Sequence, residues 1–343
     1  MNRYLIATLV SLALPGLAVA SPLLTDYSLY AGNQISLGNS VNVSSGMVGG
    51  GGNVVINGSA HLFGGVNAGN NVTLGLNGKI DGNVIANKVT VNGSAVIGGN
   101  LDAGQSTGTP VDLGQNAKVL GTVTRKAGTT LSTAATATVG ASVVGTPATF
   151  AAPALPQATD FTAGGTNRNT ASGVTTTLGA GSYHFVDLGG NNVLNLSAGN
   201  YYFDRLTTGG STVFNFDLTN GAISLFIDGN VHLGNGLDVN LIGGNASQVY
   251  AETTGNWVQD GASEWFGTVY GSGASSDLSF GAGAKLTGAF YATHNLTIDG
   301  SGSVNLLALA APTATGNVPE PSSLLLGAIA FGGLVMARRR KRA

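Results

Sequence analysis

The sequence predicts an all-β parallel β-helix, or β-solenoid, with coils of ~18 residues, flanked by an N-terminal signal helix and a C-terminal transmembrane helix. Three observations carry this: an aliphatic repeat of fixed internal spacing, turn-forming residues between its strands, and no helical period outside the two ends.

The repeat opens at Ile35, Val54, Val72, Val89 and Val111, with further aliphatics two, eight and twelve positions on. The sets are Ile35, Leu37, Val43, Met47; Val54, Ile56, Leu62, Val66; Val72, Leu74, Ile80, Val84; Val89, Val91, Ile97, Leu101; and Val111, Leu113, Val119, Val123. Residues two apart alternate with Thr, Asn, Asp or Ser, the period of a strand with one buried face. Asn-Gly, Gly-Gly and Gly-Asn pairs between them tolerate the positive φ of a tight corner. A sixth turn runs through Leu131, Val139 and Val143. One coil cannot bury its own inward residues, but stacked coils form a continuous aliphatic column.

The spacing divides the chain into a signal peptide (1–20), a repeat region (21–145), a Pro/Ala/Thr/Gly-rich linker or excursion (146–173), a second solenoid region richer in aromatics (174–312) and a sorting tail (313–343). The linker is marked by Pro147, Pro153 and Pro156 and by Gly164-Gly165.

At the start, Arg3 precedes an apolar core from Tyr4 to Leu14, the breaker Pro15-Gly16, and small residues at Ala18 and Ala20. This is the layout of a secretory signal, with cleavage between Ala20 and Ser21 and with the Sec translocon and signal peptidase as implied partners. At the end, Pro319-Glu320-Pro321 precedes a helix over 322–337 and a basic cluster, Arg338, Arg339, Arg340, Lys341 and Arg342. The prolines hold an accessible extended tripeptide ahead of the helix. The apolar run from Leu324 to Ala337 is shorter than the ~20 residues of a comfortable span, and the basic cluster belongs on the cytoplasmic side.

This tail resembles the PEP-CTERM sorting signal of Gram-negative bacteria. The resemblance implies recognition by a membrane-embedded exosortase, inner-membrane anchoring in transit, and a final place at the cell surface or outside the cell, in species that make exopolysaccharide and biofilms. The pattern Val-x-Val-x-Gly-x-x-x-Ile-x-Gly over residues 35–125 also resembles bactofilin-type polymer-forming proteins, which are cytoplasmic, whereas this chain is exported.

Between the signals, eight basic residues stand against fifteen Asp and Glu in residues 21–318, a net charge near −7. Such an acidic, sparsely charged body lacks the clustered Lys and Arg that nucleic-acid binding requires. With no cysteine, disulfides and thiolate chemistry are excluded. His61, His184, His232 and His294 show no metal spacing, and no cofactor motif appears. Asp187, Asp204, Asp217, Asp228 and Asp238 lie in successive strands and are candidates for polysaccharide chemistry, but most sit at corners, where Asp caps turns. The segment Gly234–Asn240 resembles a single calcium-binding nonapeptide, yet such sites need tandem copies. Ice binding would call for a regular Thr-x-Thr ladder, which is not present.

Trp257, Trp265, Phe266 and Tyr270, with Glu252, Asp260 and Glu264 nearby, form the candidate glycan contact, because rings stack on sugar faces and carboxylates accept hydroxyl hydrogen bonds. The competing expectation is a loop folded back to cap the solenoid. The sequence thus points to a non-catalytic surface or extracellular structural or adhesive solenoid tied to exopolysaccharide matrix, with self-association through exposed coil ends. A glycan-binding or polysaccharide-active β-helix is the alternative.

Overall fold

The computed structural model describes residues 22–307. They form a parallel β-solenoid of about 14 turns, with helix limited to two short 3-10 turns, Leu24–Asp26 and Ala246–Gln248. Signal and tail helices lie outside the described residues, among which no helix is long and apolar enough to cross a membrane.

Each coil contributes one strand to each of three faces. In the first complete coil, Tyr27–Ala31 lies on face I, Gln34–Leu37 on face II and Asn42–Val43 on face III. The repeat positions stack in register. Ile35 pairs Val54, Val54 pairs Val72, Val72 pairs Val89 and Val89 pairs Val111. Val43, Leu62, Ile80, Ile97 and Val119 form the matching column of face III. All are essentially inaccessible, and their burial removes apolar surface at roughly 25 cal/mol per Å², the main stabilising contribution.

Two assigned positions are one residue out of register. Val48, not Met47, is the inward residue that pairs Val66, because Gly46 turns through φ +75° and adds a residue before the strand. Met47 packs outside the column. In the sixth turn Ser142 pairs Val123, so Val143 points outward and is 46% exposed.

The left-handed corner between faces II and III falls mainly on Ser and Asn: Ser40, Ser59, Asn77, Ser94 and Asn116 all have φ near +60°. Glycine serves close approach instead. A Cβ on Gly51 would lie 2.1 Å from the carbonyl oxygen of Gly32, and one on Gly69 would lie 2.0 Å from that of Gly51.

The column is assembled out of chain order. Residues 27–144 wind away from the middle of the solenoid to one end. The chain then returns to the other end, and residues 166–305 wind back to the middle, where the last coil stacks on the first. Leu29 pairs Phe290, Ile35 pairs Leu296 and Val43 pairs Val304, so all three faces continue across this junction. Faces follow one another in the same order in both halves, and every pairing is parallel.

The return segment, about residues 145–165, is a strap along face I. It passes twelve rung-to-rung steps, about 58 Å at ~4.8 Å each. Roughly 20 residues span at most about 70 Å when fully extended, so the strap must be nearly straight. Pro147, Pro153 and Pro156 favour such an extended backbone. The first strand after it, Thr166–Thr170, falls within the stretch assigned from sequence to the linker.

Candidate functional site

Three surfaces were examined for chemistry in the order the fold builds them: the strap face, the rows of charged residues, and the open troughs.

Face I of the C-terminal half presents outward aromatics on consecutive rungs, Tyr202, Phe226, Tyr250, Tyr270 and Tyr291, continued across the junction by Tyr30. The strap covers them. Phe161 sits 5.7 Å from both the Tyr202 and Phe226 rings, and the Tyr270 hydroxyl donates to the Pro156 carbonyl at 2.8 Å. Glu252 is fully buried there. Its carboxylate accepts from the Thr159 backbone N–H and hydroxyl, both at 2.8 Å, and from the Tyr250 hydroxyl at 2.9 Å. Burial and the adjacent Glu252 carboxylate push the Tyr250 phenol well above its ordinary range, and burial pushes Tyr291 up to about 12.

The candidate glycan contact is split by strand alternation. In Glu264–Phe266 the middle residue points inward, so Trp265 is buried while Glu264 and Phe266 face out. Trp257 is equally buried, and its ring meets Trp265 edge-on at 4.8 Å. Tyr270 lies under the strap. Neither tryptophan nor Tyr270 is therefore accessible to a sugar, and the expectation of a four-aromatic contact is corrected to Phe266 alone. Nor does 250–270 form a capping loop: Val249–Thr253, Trp257–Gln259, Glu264–Phe266 and Thr268–Gly271 are regular coil strands.

The candidate carboxylates do not converge. Asp187 pairs with Arg205 at 2.6 Å, Asp217 accepts from the Thr219 N–H at 3.0 Å, Asp228 from the Thr254 hydroxyl at 3.2 Å, and Asp238 faces outward on face III. The histidines are each held by an aspartate from a neighbouring coil: His61 by Asp81 at 2.8 Å, His232 by Asp260 at 3.2 Å, His294 by Asp277 at 2.8 Å, and His184 by Asp204. Among the described residues no group of three His, Asp or Glu side chains could hold a metal ion.

Two open troughs cross the first-coil/last-coil junction. On face II a trough of about 400 Å³ is lined by Asn33, Gln34, Ser36, Asp277, Ser279 and Asn295, and is polar throughout. The outward row there reads Ser279, Thr297, Ser36, Val55, Thr73 and Thr90, one small side chain per rung.

On face III a trough of about 450 Å³ is lined by Phe266, Glu264, Lys285, Thr287, Asn305 and Ser44, with Asn42 and Ser303 beside them. Lys285 donates to Glu264 at 2.7 Å, and this carboxylate raises the Lys285 pKa. Asn305 Oδ1 accepts from the Ser44 and Ser45 hydroxyls at 3.2 and 2.9 Å. The same row continues to Phe63, 49% exposed and stacked on His61 at 4.0 Å between ring centroids. Sequence reasoning missed Phe63. It is a single aromatic beside an aliphatic repeat position, and only the junction sets it in line with Phe266.

Pro319, Glu320, Pro321, the basic residues Arg338 to Arg342, and the cleavage-site residues Ala18, Ala20 and Ser21 lie outside the described residues. The comparisons with known proteins bear on both body and tail. Residues 156–294 match a domain of unknown function, DUF7305. In fold, the chain is similar to an ice binding protein from an Antarctic bacterium, Flavobacteriaceae, at 12% identity and a TM-score of 0.27, over 84% of this chain and 99% of that one. No curated protein matches in sequence. Residues 317–341 match the PEP-CTERM protein-sorting motif, so the chain carries an exosortase sorting signal, which implies export.

Proposed function

We propose that this is an exported, non-catalytic β-solenoid of the cell surface or extracellular matrix, sorted by exosortase and adhering to exopolysaccharide. The observation that carries the reading is a sorting motif on a body whose charged side chains are mostly tied to one another or to turns as rungs between coils, leaving polar rows suited to lateral contact. Export begins at the Sec translocon, signal peptidase cuts after Ala20, and exosortase acts at Pro319-Glu320-Pro321 while the tail spans the inner membrane. Open strand edges at both solenoid ends, Thr138–Val144 and Thr166–Thr170, pair on one side only among the described residues and support self-association. Concentration-dependent sedimentation tests that part, and a monomer at high concentration would count against it.

The main test is intact-mass analysis of the protein from medium, matrix and envelope, with and without exosortase. The reading expects a body that begins at Ser21 and ends near Pro319, found with matrix polysaccharide only when exosortase is present. An uncut chain in the envelope of both strains would overturn it.

A further inference from the structure

We infer that face III carries a binding track for a neutral, extended polysaccharide, running along the solenoid axis from Phe266 to Phe63. The inference rests on the polysaccharide-adhesion reading above and assigns its site and polymer class.

The track is a single outward row. Phe266 pairs with Thr287, and Thr287 with Asn305. Asn305 meets Ser44 across the junction, and Ser44 stands beside Phe63, because Val43 pairs Leu62. The two rings thus sit four rungs apart, about 19 Å at ~4.8 Å per rung, with a hydroxyl, an amide and a hydroxyl between them. One rung is close to the length of one pyranose residue in an extended chain. A polymer laid along the row would therefore meet a hydrogen-bonding group at each sugar and an aromatic platform at each end. Rings offer their faces to the C–H faces of sugars, and amide, hydroxyl and carboxylate groups match sugar hydroxyls.

Charge sets the polymer class. The ionic groups flanking the row form their own pairs: Glu264 with Lys285 at 2.7 Å, and Asp81 with Lys79 and His61, both at 2.8 Å. No excess cation is offered to a polyanion, and a body of net charge near −7 repels one. Straightness sets the linkage class, since a linear row suits β-1,4-linked hexoses rather than coiled α-linked chains.

The test uses the purified full chain and calorimetric titration with six-residue β-1,4 oligosaccharides of glucose, mannose and N-acetylglucosamine, with oligogalacturonate as the polyanion. At least one neutral hexamer should bind, more tightly than its trimer. Phe63→Ala and Phe266→Ala should each weaken it roughly tenfold, the loss expected of an interface anchor. Thr73→Ala, on face II, should leave binding unchanged. Circular dichroism should show both Phe variants folded. Should either fail to fold, Asn305→Ala and Thr287→Ala serve in its place. Binding of none of the neutral hexamers, preference for the polyanion, or undiminished binding by the folded track variants would each overturn the track. Lost binding with intact exosortase-dependent release sinks the track alone. Retention in the envelope with intact binding sinks the export reading alone.

Discussion

The two halves of the solenoid share a topology but not a core. From Ile35 to Val111 successive coils advance by 17 to 22 residues, and the interior is filled by Val, Ile, Leu and Ala. In the other half, the step from Leu206 to Val231 is 25 residues and that from Val231 to Trp257 is 26. A longer perimeter encloses a wider cross-section, which small aliphatics cannot fill at native density. The wide coils accordingly hold Phe214, Phe216, Trp257 and Trp265, with Phe216 edge-on to Trp265. From Leu278 to Leu296 the step is back to 18 residues, so the last coil matches the first where they meet. Coil length, more than residue preference, decides which side chains fill the core.

The sharpest way to break this comparison is truncation. Trp257→Ala should cost about 3–5 kcal/mol by opening a cavity in the wide coil, against about 0.5–1.5 kcal/mol for Ile56→Val in the narrow half. Urea denaturation measures both, and equal losses would mean that the halves do not differ in packing as described. The strap supplies the next test. Glu252→Ala removes a buried acceptor serving three donors and should cost about 1.5–3 kcal/mol, with faster proteolysis between residues 145 and 165. An unaltered cleavage rate would show that the strap is held by its aromatic contacts alone.

A stabilising change comes third. The Gln259 side chain is buried in the wide coil without a hydrogen-bond partner for either amide atom. Gln259→Leu should therefore raise stability by about 1–3 kcal/mol, and a loss would mean that the amide is satisfied in solution. The smallest effect is confined to alkaline pH. Tyr291 keeps its proton in the folded protein up to about pH 12, whereas in the unfolded chain it loses it near 10.0. Between these values the unfolded state holds fewer protons, so stability falls as pH rises. Unfolding followed by tyrosinate absorbance should start above pH 10 and be shallower in Tyr291→Phe.

Much of the fold was legible because it is local. The inward positions of the first five coils, Met47 excepted, could be read from spacing alone, since every strand must present aliphatics at period two. What escaped is non-local or a matter of single residues. Gly46 shifts Met47 by one position, a slip that hydropathy does not register because Met47 and Val48 are both apolar. The pairing of Ile35 with Leu296 joins residues 261 apart and leaves no local signature. At the candidate site, tryptophan was taken as a surface platform because the widening of its coil, and hence its use as core filler, emerges only from the register. Phe266 stood out as an outward aromatic, whereas Phe63 acquired a partner only through the junction.

That junction is the claim on which the continuous column and the face III track both depend. Ser36 and Thr297 face outward as direct neighbours across it, and the chain has no native cysteine. A Ser36→Cys, Thr297→Cys double variant treated with a short thiol–thiol cross-linker should therefore close an intramolecular loop in high yield. The product should run faster on a denaturing gel and unfold at higher temperature than either single variant. Cross-linking only between molecules, or none with both thiols reactive, would contradict the stacking of the last coil on the first.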